Sequence, residues 1–581
     1  MTDKKNKIKL IKYLKPYIIF ALLAPLTMIG EVSIDLMQPK IMSNIVDKGV
    51  WGENINLVIQ LGIKMLCLSL LGGICGALAA YFSNLAAQSF GCDLRRDAFD
   101  KVMSLSVEQT DKFTTGSLIT RLTNDITMVQ DFVAMVLRNF VRSPMMFIGG
   151  IIMALSLNVR FGLVLLISLP VEIIAVILIL RKAKPLFSKV QTKLDRVNCV
   201  VQENVNGARV VKAYVSEEHE IERFDYANSE LRDTNLKVQT LIARLAPIMS
   251  IVLNVTVVAV IYIGKLQVDA KILEVGKIMA AVNYITMIMM SLMMLSMVFQ
   301  SISRASASAN RIKEILECEP VILSSDMDSS EECGCVEFEN VVFSYPGTKG
   351  RPVLNGVDLK INKGEYIAVL GATGSGKTSL VNLIQRFYDV NEGSVKVNGI
   401  DVKDYDLKAL RSKVAYVLQK SELFAGTVAD NIRWGNEDAS DEEVIHAAKI
   451  ACAHEFITEF AKGYDTYIDE KGTSLSGGQK QRISIARAIL KKPEIIIFDD
   501  STSALDIKTE AKLRESLRGE LKDTTIIMIA QRVASVMTAD QIAIIDKGVI
   551  VDCAPHDVLI KNCEVYKDIY DSQLKGGVGI E

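Results

Sequence analysis

Residues Gly371–Thr378 read Gly-Ala-Thr-Gly-Ser-Gly-Lys-Thr, the spacing G-x-x-x-x-G-K-[ST]. The run before it, Tyr366–Leu370, is apolar enough for a buried strand. After it, Leu380, Leu383, Ile384 and Phe387 recur at helical spacing. Strand, glycine loop and helix in that order turn backbone N–H groups and the positive end of a helix toward one phosphate. In this reading Gly371, Ala372, Thr373, Gly374, Ser375 and Gly376 line the cradle. Lys377 reaches the β- and γ-phosphates, and the Thr378 hydroxyl ligates Mg²⁺. Taken alone, the loop also reads as a glycine-rich surface turn, so the rest of the chain decides.

The chain has 581 residues, enough for two or more domains, and half of them are hydrophobic. The apolar residues gather in long blocks before about residue 300. Blocks near 17–38, 57–82, 132–157, 161–180, 245–264 and 275–299 each reach about 20 residues, enough to cross ~30 Å of hydrocarbon. Lys4, Lys5, Lys7, Lys9, Lys12 and Lys15 precede the first block. That block is too long for a signal-peptide core and no A-x-A-like site follows it, so it reads as a membrane span with the lysines on the cytoplasmic side. Six crossings return the chain to the cytoplasm. The expectation is a multi-pass protein of the cytoplasmic (inner) membrane, with the N-terminus and the C-terminal half in the cytoplasm; Lys265, Lys271 and Lys277, in an outer loop, run against it. The long inner connections, Ala86–Asp131 and Lys182–Arg244, are helical in period and rich in charge, with breaks for crosswise helices expected near Asp111–Ser117 and Val215–Glu220. A net charge of −2 gives no sign of nucleic-acid binding, and ten cysteines without a C-x-x-C pair read as free thiols.

Ionisable residues inside spans are functional candidates. Glu31 and Asp35 share a helix face, and Lys64 lies at similar depth on the next span, so a structural Glu31–Lys64 ion pair is expected. Glu172, two residues after Pro170, sits near mid-membrane, facing a cavity or a partner helix. Met287, Met290, Met294 and Met297 recur at helical spacing; they read either as a pliable surface for varied apolar ligands or as ordinary helix packing. Together these residues outline a substrate path for an amphipathic or apolar compound.

Glu317–Gly334 mixes Pro, Ser and acids as a linker does, and from Val336 strands and helices alternate as in an α/β domain. Tyr345 lies just upstream of the glycine loop and could stack on a base. Gln419 follows the strand-like Val414–Leu418, within reach of a metal or an attacking water. Leu475-Ser476-Gly477-Gly478-Gln479 opens a helix and makes a second anion site. Ile495–Asp500 is a buried strand ending in two carboxylates, with Asp499 placed to hold Mg²⁺. Ser503-Ala-Leu-Asp506 follows directly. Two phosphate-binding elements in one domain suggest two domains head to tail, each glycine loop facing the other's second element.

These motifs resemble the ABC transporter superfamily, specifically an exporter half-transporter whose membrane domain is fused ahead of its nucleotide-binding domain. The resemblance implies a six-span α-helical membrane domain over 1–318 with long cytosolic helix extensions, a linker over 319–335, and an α/β phosphate-loop domain over 336–581. Thr115–Asp125 and Glu203–Tyr214 are similar to the inner loops of such exporters. It further implies ATP and Mg²⁺, Tyr345 stacking on adenine, Gln419 in a switch loop, and Ser503–Asp506 crossing a dimer interface. The chain departs from the family at two places. Asp500 stands where the family has the water-orienting Glu, and Gln531 where it has a switch His; the four histidines, 219, 446, 454 and 556, lie elsewhere. A misplacement of ~1 Å can cost on the order of 100-fold in rate, so nucleotide binding is expected to persist while hydrolysis at this chain's own site fails. The chain therefore resembles the degenerate-site subunit of heterodimeric bacterial multidrug-type exporters. Its partner would be a second half-transporter with Glu and His in place, its active site completed by this chain's Leu475–Gln479. A homodimeric exporter with a slow Asp base, and an ATP-gated channel or regulatory protein, are the alternatives. The substrate is not legible: drug, lipid and peptide exporters share the architecture.

Overall fold

Hydrocarbon offers no partner to a backbone N–H or C=O, so an apolar block that crosses it must satisfy its hydrogen bonds internally, as a helix does. The structure is a computed structural model that describes residues 9–574 apart from 326, 328–333, 349 and 473. Among these residues six helices are long and apolar enough to cross a membrane: Leu10–Val50, Ile55–Ser104, Thr115–Leu157, Val159–Asn206, Glu217–Asp269 and Val275–Leu295. They belong to one compact unit, Met1–Met103 with Gly116–Cys318; the second unit is Ser104–Thr115 with Glu319–Glu581.

The helices of the first stretch are α1 (Ile18–Asn44), α2 (Ile55–Ser104), α3 (Val107–Phe113), α4 (Thr115–Thr120), α5 (Ile126–Leu157), α6 (Val159–Asn206), α7 (Ala208–Ala213), α8 (Glu217–Ala243), α9 (Leu245–Asp269) and α10 (Val275–Leu316). A 3₁₀ segment, Leu10–Tyr17, leads into α1. In the membrane unit α5 packs most extensively on α10, and α1 packs on both. The approach depends on small residues: a Cβ added at Gly150 of α5 would come within 2.7 Å of Ile288 of α10. The buried Tyr284 hydroxyl donates to the Leu36 carbonyl at 2.7 Å and ties α10 to α1.

The inner connections break where expected: the short helices α3 and α7 are followed by breaks at Thr114 (φ +58°) and Val215 (φ +51°), within 111–117 and 215–220. Both breaks use a left-handed conformation that β-branched residues rarely adopt. The expected Glu31–Lys64 pair does not form. Arg142 of α5 binds Glu31 and also reaches Asp35 at 3.4 Å, while Lys64 is exposed on α2. The face that carries Glu31 and Asp35 turns to α5, and depth alone could not reveal that.

The second unit contains β1 (Val336–Phe343), β2 (Leu354–Ile361), β3 (Tyr366–Leu370), α11 (Lys377–Ile384), β4 (Glu392–Val397), β5 (Ile400–Asp401), α12 (Leu407–Lys413) and β6 (Val414–Val417). A helical insertion follows: β7 (Gly426–Thr427), α13 (Val428–Arg433), α14 (Asp441–Ile450), α15 (His454–Thr458), β8 (Tyr467–Ile468) and α16 (Gly477–Leu490). The chain then runs through β9 (Ile495–Asp499), α17 (Ile507–Glu520), β10 (Thr525–Ile529), α18 (Val533–Val536), β11 (Gln541–Asp546), β12 (Val549–Ala554), α19 (His556–Asn562) and α20 (Glu564–Leu574). The central sheet has the order β12-β11-β3-β10-β9-β6, parallel except for β12. Its inner strands are buried on both faces, which explains their unbroken apolar runs. On β3, Ile367 and Val369 enter one core while Tyr366, Ala368 and Leu370 enter the other. A separate antiparallel sheet has the order β2-β1-β4-β5.

Ser104–Thr115, assigned from sequence to the membrane domain, groups with this second unit. Tyr388 donates to Asp111 Oδ2 at 3.2 Å, and the Gln109 amide donates to the Glu319 carbonyl at 2.6 Å. Burial first, and then the Asp111 carboxylate, push the Tyr388 phenol up to about 12.

Removing one partner of a largely buried charge cluster leaves the others uncompensated. Arg142→Leu should lower stability by about 2–3 kcal/mol, read as a fall in the thermal unfolding midpoint in detergent, whereas Lys64→Leu should leave that midpoint unchanged. Equal shifts for the two variants would overturn the Arg142 pairing.

Candidate functional site

Ligands of an open parallel sheet bind outside the carboxyl ends of its strands, and here four neighbouring strands end at chemistry-bearing residues. β3 ends one residue before Gly371, β9 ends at Asp499, β10 ends two residues before Gln531, and β6 ends two residues before Gln419. The register holds those ends level: Ile529 pairs with Val369 and with Asp499, and Val417 pairs with Phe498.

The glycine loop has the shape its sequence predicts. Gly376 has φ +106°, a conformation open to glycine at little cost, and a Cβ at Gly371 would come within 2.2 Å of the Ile545 carbonyl. Lys377 opens α11, and its ammonium donates to the carbonyls of Gly371 and Ala372, each at 2.8 Å. The Ser375 hydroxyl is buried without a hydrogen-bond partner among the described residues. A phosphate would supply that partner, so the loop fits the group. Thr378 Oγ1 donates to Asp499 Oδ1 at 2.9 Å, and the two oxygens form a hard-donor pair of the kind Mg²⁺ takes beside substrate phosphates. Tyr345 packs edge-on against Tyr388 and its hydroxyl lies 2.9 Å from Ser379 Oγ, which sets it next to α11.

Asp500 is the sharpest feature. It has φ +48° and is 8% exposed, and one carboxylate oxygen, Oδ2, accepts from both Gln531 Nε2 at 2.7 Å and Gln419 Nε2 at 3.2 Å. Three residues singled out from sequence, Gln419, Asp500 and Gln531, are therefore joined through one oxygen of Asp500. Burial pushes the carboxyls of both Asp499 and Asp500 up; Gln419, Lys377 and Gln531 partly offset this at Asp500. Burial also lowers the Lys377 ammonium, against the pull of Asp500 and Asp499.

Leu475–Gln479 lies elsewhere on the unit. Ser476 caps α16 in a capping box: its Oγ accepts from Gln479 N at 3.3 Å, and the Gln479 side chain accepts from Ser476 N at 2.9 Å. Ser476 and Gly477 are exposed. A Cβ at Gly478 would come within 3.1 Å of the Ala504 carbonyl, so this element packs on the Ser503–Asp506 loop rather than on the glycine loop of its own chain. Ser503 Oγ donates to the Asp500 carbonyl at 2.9 Å, and Asp506 caps α17 through Thr509 N.

Sequence reasoning missed Tyr416. Its hydroxyl lies 3.0 Å from both Asp499 Oδ2 and Asn382 Oδ1, and burial followed by the nearby Asp499 charge raises the phenol strongly. The signal is the β6–β9 register, which sets Tyr416 opposite Ile497, two residues short of Asp499.

In the membrane unit, Glu172 is fully buried and neither carboxylate oxygen has a partner among the described residues. Met287 packs against the membrane core, Met290 and Met294 are exposed, and the side chain of Met297 lies outside the described residues.

Family models described as the ABC transporter transmembrane region and as ABC transporter match residues 21–292 and 354–503. An uncharacterized ABC transporter ATP-binding protein of Bacillus subtilis, YfiB, is 38% identical over 97% of this chain and 98% of its own length. An ATP-dependent lipid A-core flippase of Syntrophus aciditrophicus is 31% identical over 90% of this chain and 87% of its own. A solved bacterial Atm1-family ABC exporter with ATP bound is similar in fold at TM-score 0.79 and 24% identity, over 97% of this chain and 98% of that one.

Lys377→Ala should weaken ATP binding by the purified chain about 10- to 100-fold, the worth of hydrogen bonds to a charged group; unchanged binding of a fluorescent ATP analogue would refute the loop's role. A second expectation concerns Asp500. Its carboxyl is held above the ordinary range, so the folded chain keeps this proton longer than the unfolded chain does. Stability is then lost as pH rises from the usual carboxylate value, about 3.9, through the raised folded one. Asp500→Asn should therefore raise the unfolding temperature at neutral pH and lose that advantage near pH 4, measured by thermal scans across pH.

Proposed function

Since the chain belongs to the ABC transporter superfamily, as a half-exporter with its transmembrane region ahead of an ATP-binding ATPase domain, we propose that it pairs with a different half-transporter and carries the idle one of two ATP sites. The observation that supports this is the double amide bond on Asp500. A water-orienting base needs a free lone pair aimed at the water, and here the favoured oxygen is occupied by Gln531 and Gln419. Gln531 has no titratable proton to exchange with a leaving phosphate. Leu475–Gln479, by contrast, is a well-formed helix start: its capping box engages the N–H groups of Ser476 and Gln479, and Ser476 and Gly477 are exposed. One site of the pair thus holds nucleotide while the other, completed by this chain's Ser476–Gln479, turns it over.

The division of labour follows from the chemistry of each group. Lys377 neutralises phosphate charge and the loop amides orient it. Tyr345 stacks on the base. Thr378 and Asp499 would hold Mg²⁺, with Tyr416 fixing the Asp499 rotamer through its second oxygen. Bound there, Mg²⁺ would supply positive charge against that developing on the phosphate. Ser503 and Asp506 brace the loop that carries this chain's contribution to its partner's site.

The six spans lie in the cytoplasmic membrane, with the N-terminal lysines and the ATP-binding domain on the cytoplasmic side. Glu172, Met290 and Met294 belong to the path of an amphipathic or apolar substrate, since a buried carboxylate without a partner is retained in a membrane only where it serves a ligand or a companion helix. Glu31 and Asp35 are held by Arg142 and shape the path rather than bind cargo.

Steady-state ATPase of the purified pair provides the test. Asp500→Asn should leave turnover within about threefold, while Gly477→Asp, which sets a carboxylate against the partner-bound phosphate, should cost 100-fold or more, roughly what a misplaced reacting group costs. Replacing the partner's base by its amide should match the Gly477 loss. Equal, severe losses for Asp500→Asn and for the partner's variant would mean that both sites hydrolyse, and fast turnover by this chain alone would replace the heterodimer with a homodimer.

A further inference from the structure

Where the 3₁₀ segment Leu10–Tyr17 meets α2, α5 and α10, the membrane unit forms an open apolar hollow of about 520 Å³. Its walls include Leu10, Leu14, Phe90, Phe132, Leu137 and Ile302. Lys9 and Lys313 also line it, and no carboxylate does among the described residues. We propose that this cavity binds an anionic glycerophospholipid of the inner leaflet, with one acyl chain inside and the phosphate between Lys9 and Lys313. The site rests on the cytoplasmic placement of the N-terminus given above and on nothing about ATP turnover.

Three observations carry it. The first is depth. α10 stays apolar in sequence as far as Phe299, with Ile302 following three residues later, and Phe132 stands near the start of the apolar part of α5. The end of the cavity at Ile302 and Phe132 therefore lies at the cytoplasmic edge of the spans, where an apolar hollow needs a hydrocarbon guest to exclude water. The second is size. At about 30 Å³ for each water-sized group, the volume holds roughly seventeen methylenes, close to one acyl chain.

The third is charge. Arg311 is engaged by Asp125, with Nε 2.7 Å from Oδ2, and Arg121 by Glu314 at 2.9 Å. Lys12 lies 4.7 Å over the Tyr13 ring. Lys9 and Lys313, by contrast, have no acidic partner among the described residues. Basic pockets between helices on the cytoplasmic face select anionic headgroups, with each lysine near the surface worth about a factor of five. Choline-bearing zwitterionic lipid would gain far less, because its own cation would be repelled.

The full-length chain, reconstituted in nanodiscs of equal phosphatidylglycerol and phosphatidylcholine, is released into detergent, and the lipid it retains is weighed by native mass spectrometry. Wild type should retain phosphatidylglycerol over phosphatidylcholine on the order of tenfold. Lys9→Gln combined with Lys313→Gln should bring that preference below about threefold. Lys15→Gln, a loss of charge on the 3₁₀ segment but outside the cavity, should leave it intact. Ala309→Phe, which fills the cavity without touching a charge, should reduce total retained lipid; thermal unfolding confirms that the variant is folded, and the lysine pair decides the matter if it is not. Equal retention of the two lipids by wild type would overturn the proposal. So would a preference that survives the double substitution, or one that Lys15→Gln abolishes as well, since that pattern belongs to a diffuse basic surface. None of these readings requires hydrolysis, so a failure here is separate from a failure of the export assignment.

Discussion

Five adjacent parallel strands, β11, β3, β10, β9 and β6, are hydrogen-bonded in register and covered on both faces by apolar side chains. A sheet of that kind has no polar surface of its own; it can present chemistry only where its strands stop. Because the strands stop level with one another, residues more than a hundred positions apart in the chain, such as Lys377, Gln419, Asp500 and Gln531, arrive at one edge with no further device. The same constraint explains why two carboxylates can sit 3% and 8% exposed in this unit. Thr378 and Tyr416 bond one of them, and Gln419 and Gln531 bond the other. Each is a buried charge that persists because its neighbours supply the donors that water would.

What could be read in advance followed from how local each signal is. The glycine loop, the strand ending in the Asp pair and the helix opened by Leu475–Gln479 are each written within about ten residues, and each has the secondary structure its pattern implies. Asp500 and Gln531 could be singled out, yet the bond between them spans 31 positions and depends on the β9–β10 register. Tyr416 was hidden for the same reason: in sequence it is one more aromatic in an apolar strand. In the membrane unit, hydropathy located six helices but carried no information about which faces meet. Depth pointed to Lys64, whereas the face of α1 selected Arg142. The breaks at Thr114 and Val215 fall within the stretches expected for them, although neither position holds the glycine or asparagine that ordinarily marks a left-handed residue.

The Arg142 cluster also bears on how polar residues survive inside the membrane. Glu31 and Asp35 lie four residues apart on one helix and would repel each other without the guanidinium between them. A planar fork can engage two carboxylates at once, which an ammonium on a flexible stem does poorly. Glu172 has no such arrangement among the described residues. The two cases separate carboxylates bonded between helices from one buried without a partner among the described residues.

The departures at 500 and 531 are best understood together. Shortening Glu to Asp draws a carboxylate back by one methylene, toward the strand ends. At that distance the amides of Gln531 and Gln419 both reach Oδ2, at 2.7 and 3.2 Å. Gln531 suits this place because its Nε2 donates whatever the pH, whereas an imidazole donates or accepts according to tautomer and charge. The two amides thus hold one oxygen of Asp500 through donors that no change of protonation removes. The pair forms one bonded unit, and in such a unit the effect of a single reversion is set by the partner left behind rather than by the position changed.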